Sequence, residues 1–168
     1  DQTWILNPVP AFSYGLNIAL TYKNFDLTMF WQGVADVDVY NNQKFQTDFW
    51  SITDAGSNKG SRLLGAWTTD NTSSTIPALT TNNTADEGRV SSYFVENGSY
   101  LKLRTLQLGY NLPTSLLNKL LLTKARIYFS GQNLLTIKSN SLTCSDPENP
   151  NWSYPLASSV SFGLQIGF

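Results

Sequence analysis

The strongest regularity in this chain is an alternation of apolar and polar residues at its carboxyl-terminal end. Val160, Phe162, Leu164, Ile166 and Phe168 share one parity, whereas small and polar residues occupy the other. Successive side chains of a β-strand point to opposite faces, so residues 157–168 predict a strand with one apolar face. Its length fits the roughly 9–11 residues of a tilted strand that crosses a membrane.

Four further segments show the same period of two. The alternation predicts strands near residues 11–22, 25–33, 99–111 and 124–137. Only Lys23 and Asn24 separate the first two segments, which predicts a tight hairpin. We therefore predict an all-β fold with about five antiparallel strands.

The connections between these strands alternate between short and long along the chain. Residues 34–97 and 138–156 form the long connections, and residues 112–123 form a short one. Pro113 and the leucines after it predict about two turns of helix in 112–123. This rhythm is typical of outer-membrane barrels, with short periplasmic turns and long extracellular loops. We predict a periplasmic turn at 112–123 and extracellular loops at 34–97 and 138–156.

Aromatic residues are expected to collect at one end of this sheet. If Phe168 lies at the periplasmic side, strand parity puts Tyr22, Phe25 and Tyr110 at the same side. All four share the apolar parity, so they predict one interfacial girdle.

Two cations break the pattern of the third strand. Lys102 and Arg104 share the outward parity of Leu106, and neither can comfortably face hydrocarbon. Three explanations stay open: the strand extends beyond the hydrocarbon, a bulge switches its faces, or the cations contact lipid-head phosphates.

Composition narrows the function classes. Charged residues are 14% of the chain, against roughly 25% in soluble domains, and the net charge of −1 offers nothing to nucleic acid. No apolar run approaches the roughly 18 residues of a transmembrane helix. With Cys144 as the single cysteine and no histidine, disulfides within the chain, Cys/His zinc sites and histidine-dependent triads are excluded. We predict no enzyme, no cofactor and no signal peptide, since the chain begins at Asp1 without an apolar leader.

Many short motifs agree with one family in order and spacing. They are YGLN (14–17), YKNFDL (22–27), QG (32–33), YN (40–41), FVENGSYLKLR (94–104), LGYNLP (108–113), GQNLLT (131–136), DPE (146–148), YP (154–155) and the closing FGL to F (162–168). Together they resemble the carboxyl-terminal end of SusC/RagA-type TonB-linked outer-membrane proteins of the Bacteroidota. Residues 47–87 match least.

The resemblance implies that residues 1–168 are the C-terminal portion of a plugged, multi-pass β-barrel of roughly 22 strands. Such proteins import glycans or peptides with energy from TonB, usually beneath a SusD-like lipoprotein. The plug and the segment that contacts TonB would lie in an N-terminal part that this chain lacks. Lipid and lipopolysaccharide would surround the barrel, and the barrel assembly machinery would recognise the last strand. The assembly signal would consist of Phe162, Leu164, Ile166 and Phe168.

Two other classes share part of this pattern. A soluble, secreted carbohydrate-binding β-sandwich is also aromatic-rich, but it does not explain the alternating loop lengths or the terminal Phe168. A siderophore-type TonB-dependent receptor shares the barrel but lacks this set of motifs.

The long loops hold a few candidate site residues. Trp50, Trp67 and Trp152 could contact ligand or partner, although anchors for loop packing would look the same in sequence. Asp36 and Asp38 form a weak calcium candidate, for which turn and capping chemistry is the alternative. No other metal site is predicted.

Overall fold

The computed structural model describes residues 3–49, 58–79, 86, 89–151 and 153–168. The helices and strands are, in chain order, β1 (Phe12–Tyr22), β2 (Phe25–Ala35), β3 (Asp38–Tyr40), α1 (Asn42–Asp48), β4 (Val95–Asn97), β5 (Tyr100–Asn111), α2 (Thr114–Leu120), β6 (Lys124–Lys138) and β7 (Ser159–Gly167), with 3-10 turns at Ser61–Gly65 and Ser92–Phe94. The chain divides into a sheet unit (residues 10–37, 99–139 and 156–168) and a loop unit (residues 1–9, 38–98 and 140–155).

The sheet unit is one antiparallel sheet with the strand order β1-β2-β5-β6-β7. Its five strands lie within two residues of the ranges that the alternation predicts. Lys23 takes a left-handed backbone conformation in the two-residue turn between β1 and β2. The predicted two-turn helix is confirmed as α2, which follows Pro113 and ends at Leu121 in the left-handed conformation. Both long connections leave from the opposite end of the sheet.

A β-bulge explains the two cations of β5. Trp31 pairs with Leu103 and Phe30 with Thr105, so Arg104 is an extra residue in the register between β5 and β2. Beyond this bulge, Leu103 joins the apolar face and Lys102 the polar face. The expectation that Lys102 shares the outward face of Leu106 is therefore wrong, and of the three explanations the structure supports the bulge.

The loop unit has its own core. Phe94 is fully buried there, and the rings of Tyr40, Phe45, Phe49 and Tyr93 surround it with centroid distances of 5.1 to 6.1 Å. Such offset and edge-to-face contacts between aromatic rings are favourable beyond the apolar area they bury. Short secondary structures frame this core, namely the β3–β4 pair and helix α1.

Helix α1 is fixed at its start by Asn41. The Asn41 side chain accepts a hydrogen bond from the backbone N–H of Lys44, which is the usual role of an N-cap residue. Its own backbone N–H donates to the carbonyl of Phe94 at 2.8 Å, so the helix start is tied to the aromatic core.

In the described part of the chain, no helix has the length and apolar character needed to span a membrane.

Candidate functional site

One face of the sheet unit is apolar and open. The registers bring the apolar residues of all five strands to this face, as in the single row Leu20–Leu27–Leu108–Phe129–Phe162. A water-soluble sheet would bury such a face, yet Phe162 remains 80% exposed. A continuous apolar face is instead what hydrocarbon requires of a barrel strand.

Aromatic residues line one end of the apolar face. Tyr22 pairs with Phe25, and Phe25 pairs with Tyr110, with 4.7 Å between the last two ring centroids. Phe168 follows Gly167, which pairs with Lys124 at the same end of the sheet. The three rings and Phe168 are thus disposed as a girdle at a membrane interface would be.

The opposite face carries a charge cluster that crosses four strands. The Arg126 guanidinium on β6 forms a bidentate ion pair with the Asp26 carboxylate on β2. Asn111 donates to the same carboxylate at 3.2 Å, and the Arg126 guanidinium also reaches the Gln165 amide oxygen at 3.5 Å. A Cβ on Gly109 would overlap both Arg126 and Asp26, so only glycine leaves room for this pair on β5.

The bulge places a second cation on this polar face. Arg104 Nε donates to Gln32 Oε1 at 2.9 Å, and its guanidinium contacts Asn133 Oδ1 at 3.5 Å. The two faces of the sheet therefore differ in kind: one is apolar throughout, and the other holds hydrogen-bonded charged and amide groups. This division is the one expected between the lipid side and the interior of a barrel.

A buried carboxylate joins the two long connections within the loop unit. Glu96 accepts hydrogen bonds from the Asn41 amide and the Thr143 backbone N–H, both at 2.8 Å, and from the Thr143 hydroxyl. Lys44 Nζ lies 3.5 Å from Glu96 Oε1. Burial raises the pKa of the Glu96 carboxyl, but these donors and the Lys44 charge outweigh it and hold the pKa below its ordinary value.

A second buried carboxylate, Asp48, is also held from distant segments. The Tyr93 hydroxyl donates to Asp48 Oδ2 at 2.7 Å, and Arg62 Nη1 lies 3.4 Å from the same oxygen. Burial of Tyr93, together with its hydrogen bond to a carboxylate, raises the pKa of the phenol far above its ordinary range. Tyr93 is therefore a neutral donor at physiological pH. Asp48 thus ties together parts of the first long connection, whereas Glu96 joins the first connection to the second.

Of the three tryptophans predicted as site residues, the structure describes one. Trp50 and Trp152 lie outside the described residues. Trp67 is partly exposed, and its backbone N–H donates to the carbonyl of Ile76 at 2.9 Å, closing a compact turn. A role for any of them in ligand or partner contact stays a prediction.

The calcium candidate also stays a prediction. Asp38 Oδ2 accepts a hydrogen bond from the backbone N–H of Asn7, and Asp36 has a left-handed backbone conformation. These are turn and capping roles of the kind named as the alternative. Within the described ranges, no group of three or more His, Cys, Asp or Glu side chains could hold a metal ion.

Sequence reasoning missed Glu96, Asp48 and Tyr93, since their partners come from segments far apart in the chain. One signal could have found the first of them. Asn41 and Glu96 both lie within motifs that carry the family resemblance, and their side chains turn out to be hydrogen-bonded to each other.

The relatives that the chain matches in sequence are TonB-dependent receptors. No family model matches the chain. TonB-dependent receptor P3 of Formosa agariphila is 37% identical over 139 residues, covering 81% of this chain and 13% of that receptor. TonB-dependent receptor P26 of the same organism is 28% identical over 187 residues, covering 100% of this chain and 18% of that receptor.

Solved structures give the same result. The RagAB peptide importer in its open-open state matches with a TM-score of 0.74 and 27% identity, covering 95% of this chain and 17% of that one. The closed-closed state matches with a TM-score of 0.73. The chain thus spans less than a fifth of the length of these relatives. Its antiparallel sheet is a piece of a large barrel of the RagA type, which removes the soluble β-sandwich alternative.

Motif order, the two-faced sheet and both kinds of likeness agree. The chain belongs to the SusC/RagA-type TonB-dependent receptors, β-barrel proteins of the bacterial outer membrane, and it covers one segment of such a receptor.

Proposed function

We propose that the complete receptor imports large nutrients, glycans or peptides, across the outer membrane with energy from TonB. In this proposal residues 1–168 form the C-terminal part of the barrel and supply no catalytic group. Their share is a section of barrel wall, the two extracellular loops that build the loop unit, and the terminal strand that the barrel assembly machinery recognises. The observation that carries the proposal is the sheet with one open apolar face and one polar face, matched to a peptide importer over 95% of the chain.

The proposal includes a partner. The RagAB importer is a two-component assembly by its name, and we infer that a SusD-like lipoprotein likewise caps the extracellular mouth here. TonB would be engaged through a part of the receptor that lies outside these residues. Affinity purification of the complete receptor from outer membranes should recover a lipoprotein in about equal amount. Recovery of the receptor alone would contradict this part of the proposal.

The membrane orientation of the wall is tested by two neighbouring residues. Phe162 belongs to the apolar face of β7, one apolar row further from the girdle than Leu164, and Ser161 belongs to the polar face. A lysine on the lipid face costs roughly 2–4 kcal/mol near the midplane, whereas a lysine facing the lumen is tolerated. Phe162→Lys should therefore reduce the heat-modifiable, folded receptor in outer membranes, and the matched control Ser161→Lys should not. Equal levels of the two variants would contradict the assignment of faces.

Transport is tested in a strain that lacks the receptor gene. Uptake of fluorescently labelled oligosaccharides, labelled peptides and a ferric siderophore should be compared with and without the complete receptor. Receptor-dependent and TonB-dependent uptake of an oligosaccharide or a peptide is the expected result. Uptake of the siderophore alone would replace the proposal with the siderophore-receptor alternative.

A further inference from the structure

The loop unit contains a cleft that none of the contacts above uses. It has a volume of about 660 Å³, and its described lining consists of Gln43, Ser145, Ser153, Tyr154 and Pro155. Sites for small ligands usually occupy about 300–1,000 Å³ and combine apolar surface with a few placed polar groups. The cleft joins residues from both long connections, so it exists only in the folded loop unit.

One wall of the cleft is fixed by Gln43. Its amide nitrogen donates to Ser145 Oγ at 2.7 Å and to the carbonyl of Asn151 at 3.0 Å. Its amide oxygen accepts from the backbone N–H of Ser145 at 2.9 Å. The amide nitrogen and the amide oxygen of Gln43 are thus both bonded within the loop unit, so Gln43 holds the wall in place. A preformed wall lowers the cost of ordering on binding.

The hydroxyl groups of the two serines that line the cleft can each still donate a hydrogen bond. Ser145 Oγ accepts from Gln43, and Ser153 Oγ accepts from the Asn149 amide at 2.6 Å. A hydroxyl that already accepts can still donate its hydrogen, and neither of these hydroxyls donates to an acceptor among the described residues. Beside them, the Tyr154 side chain is 96% exposed and is followed by Pro155.

We propose that this cleft binds one uncharged sugar ring of an oligosaccharide, a step that rests on the proposed import function. The described lining has no charged side chain, which disfavours acidic sugars and the charged ends of peptides. An aromatic ring with a polar tip packs against the C–H face of a sugar, and the serine hydroxyls reach the hydroxyls at its edge. Tyr154 is the platform, and Ser145 and Ser153 are the donors.

The test uses the complete receptor, purified in detergent, on an array of neutral gluco-, xylo-, manno- and galacto-oligosaccharides, with uronate oligosaccharides and mixed peptides on the same array. The expected result is binding of at least one neutral oligosaccharide. Tyr154→Ala should weaken that binding about ten-fold, as loss of a central aromatic contact does. Tyr154→Phe, which keeps the ring, should stay within about three-fold. Leu64→Ala is the matched control, since Leu64 is as exposed but does not line the cleft.

Three outcomes would overturn the proposal. They are the absence of binding to every neutral oligosaccharide, binding to peptides or uronates alone, and neutral binding that is equal in Tyr154→Ala and the unchanged receptor. Uptake by the same Tyr154→Ala receptor separates this proposal from the general function. If uptake persists and the array result is negative, import stands and the sugar site falls. If no nutrient is imported at all, import itself falls.

Discussion

Glu96→Gln is the sharpest test of the hydrogen-bonded loop unit. The substitution keeps the shape of the side chain but removes its charge and turns one acceptor oxygen into a donor. The second oxygen can still serve the Asn41 amide and the Thr143 backbone N–H. The Thr143 hydroxyl, which donates to Oε1 at 2.9 Å, can turn to the second oxygen at 3.2 Å. The lost interaction is therefore the one with Lys44, whose Nζ lies 3.5 Å away and whose side chain is 14% exposed.

The size of the effect follows from this geometry. A hydrogen bond to a charged group contributes roughly 1.5–3 kcal/mol, and removing one partner of a buried ion pair costs roughly 3–5 kcal/mol. Lys44 keeps its contact with the Tyr93 ring, at 3.9 Å from the ring centroid. The loss of free energy should therefore be near the value at which these two ranges meet. We expect local opening of the loop unit to become easier by about 3 kcal/mol, on the order of a hundred-fold.

Hydrogen–deuterium exchange of the complete receptor measures this opening directly. The amides of Asn41 and Thr143, which donate to Phe94 and Glu96, should exchange on the order of a hundred times faster in Glu96→Gln. The strands β5 and β6 should be unchanged. Glu148→Gln is the matched control, because it makes the same chemical change at an exposed position of the loop unit. Identical exchange in the unchanged receptor and Glu96→Gln would refute the reasoning.

Three further predictions follow from the geometry. The folded pKa of Glu96 lies below its ordinary value of 4.5, so its contribution to the stability of the loop unit is complete above about pH 4.5 and is lost as the pH falls through the folded pKa. Hydrogen exchange, corrected for its intrinsic pH dependence, should show easier opening of the loop unit in acid. The Glu96→Gln variant should show less of this change. Tyr93→Phe removes the shortest hydrogen bond of the buried Asp48 carboxylate, which keeps Arg62 and the Thr47 hydroxyl as donors. It should ease opening by roughly 1.5–3 kcal/mol, as seen by limited proteolysis of the loop unit, with no effect expected on the sheet. A Cβ on Gly163 would overlap the Tyr128 ring, so Gly163→Ala should lower the temperature at which the folded receptor loses heat-modifiable migration. Adding Tyr128→Ala to this variant should raise that temperature part of the way back. If the second substitution has no such effect, Gly163 matters for another reason.

The sheet was predictable because its information is local. Alternation from Phe12 to Tyr22, or from Lys124 to Phe129, reports which face each residue occupies without reference to any other strand. The bulge in β5 is the exception, because it depends on a second strand. Arg104 is an extra residue only relative to its neighbour β2, so no pattern within β5 could decide between a bulge and the other two explanations.

The loop unit was not predictable for the opposite reason. The buried carboxylate of Glu96 is stabilised by partners 47 to 55 residues away, and nothing in the local sequence distinguishes Glu96 from an exposed loop acid. Tryptophans attract attention in a sequence, yet the cleft is built from serines, Gln43 and Tyr154, which are unremarkable in an Asn- and Ser-rich loop. Only the folded chain brings these residues together.

The long-range contacts of Asn41 and Gln43 also set an order of events. Both residues bond to partners 102 positions later, Thr143 and Ser145. Closing so long a loop is slow, and it cannot occur until the later segment has reached the same side of the membrane. The hydrogen bonds between Glu96 and Thr143, and with them the closed form of the loop unit, must therefore form late, after the second long connection has arrived beside the first.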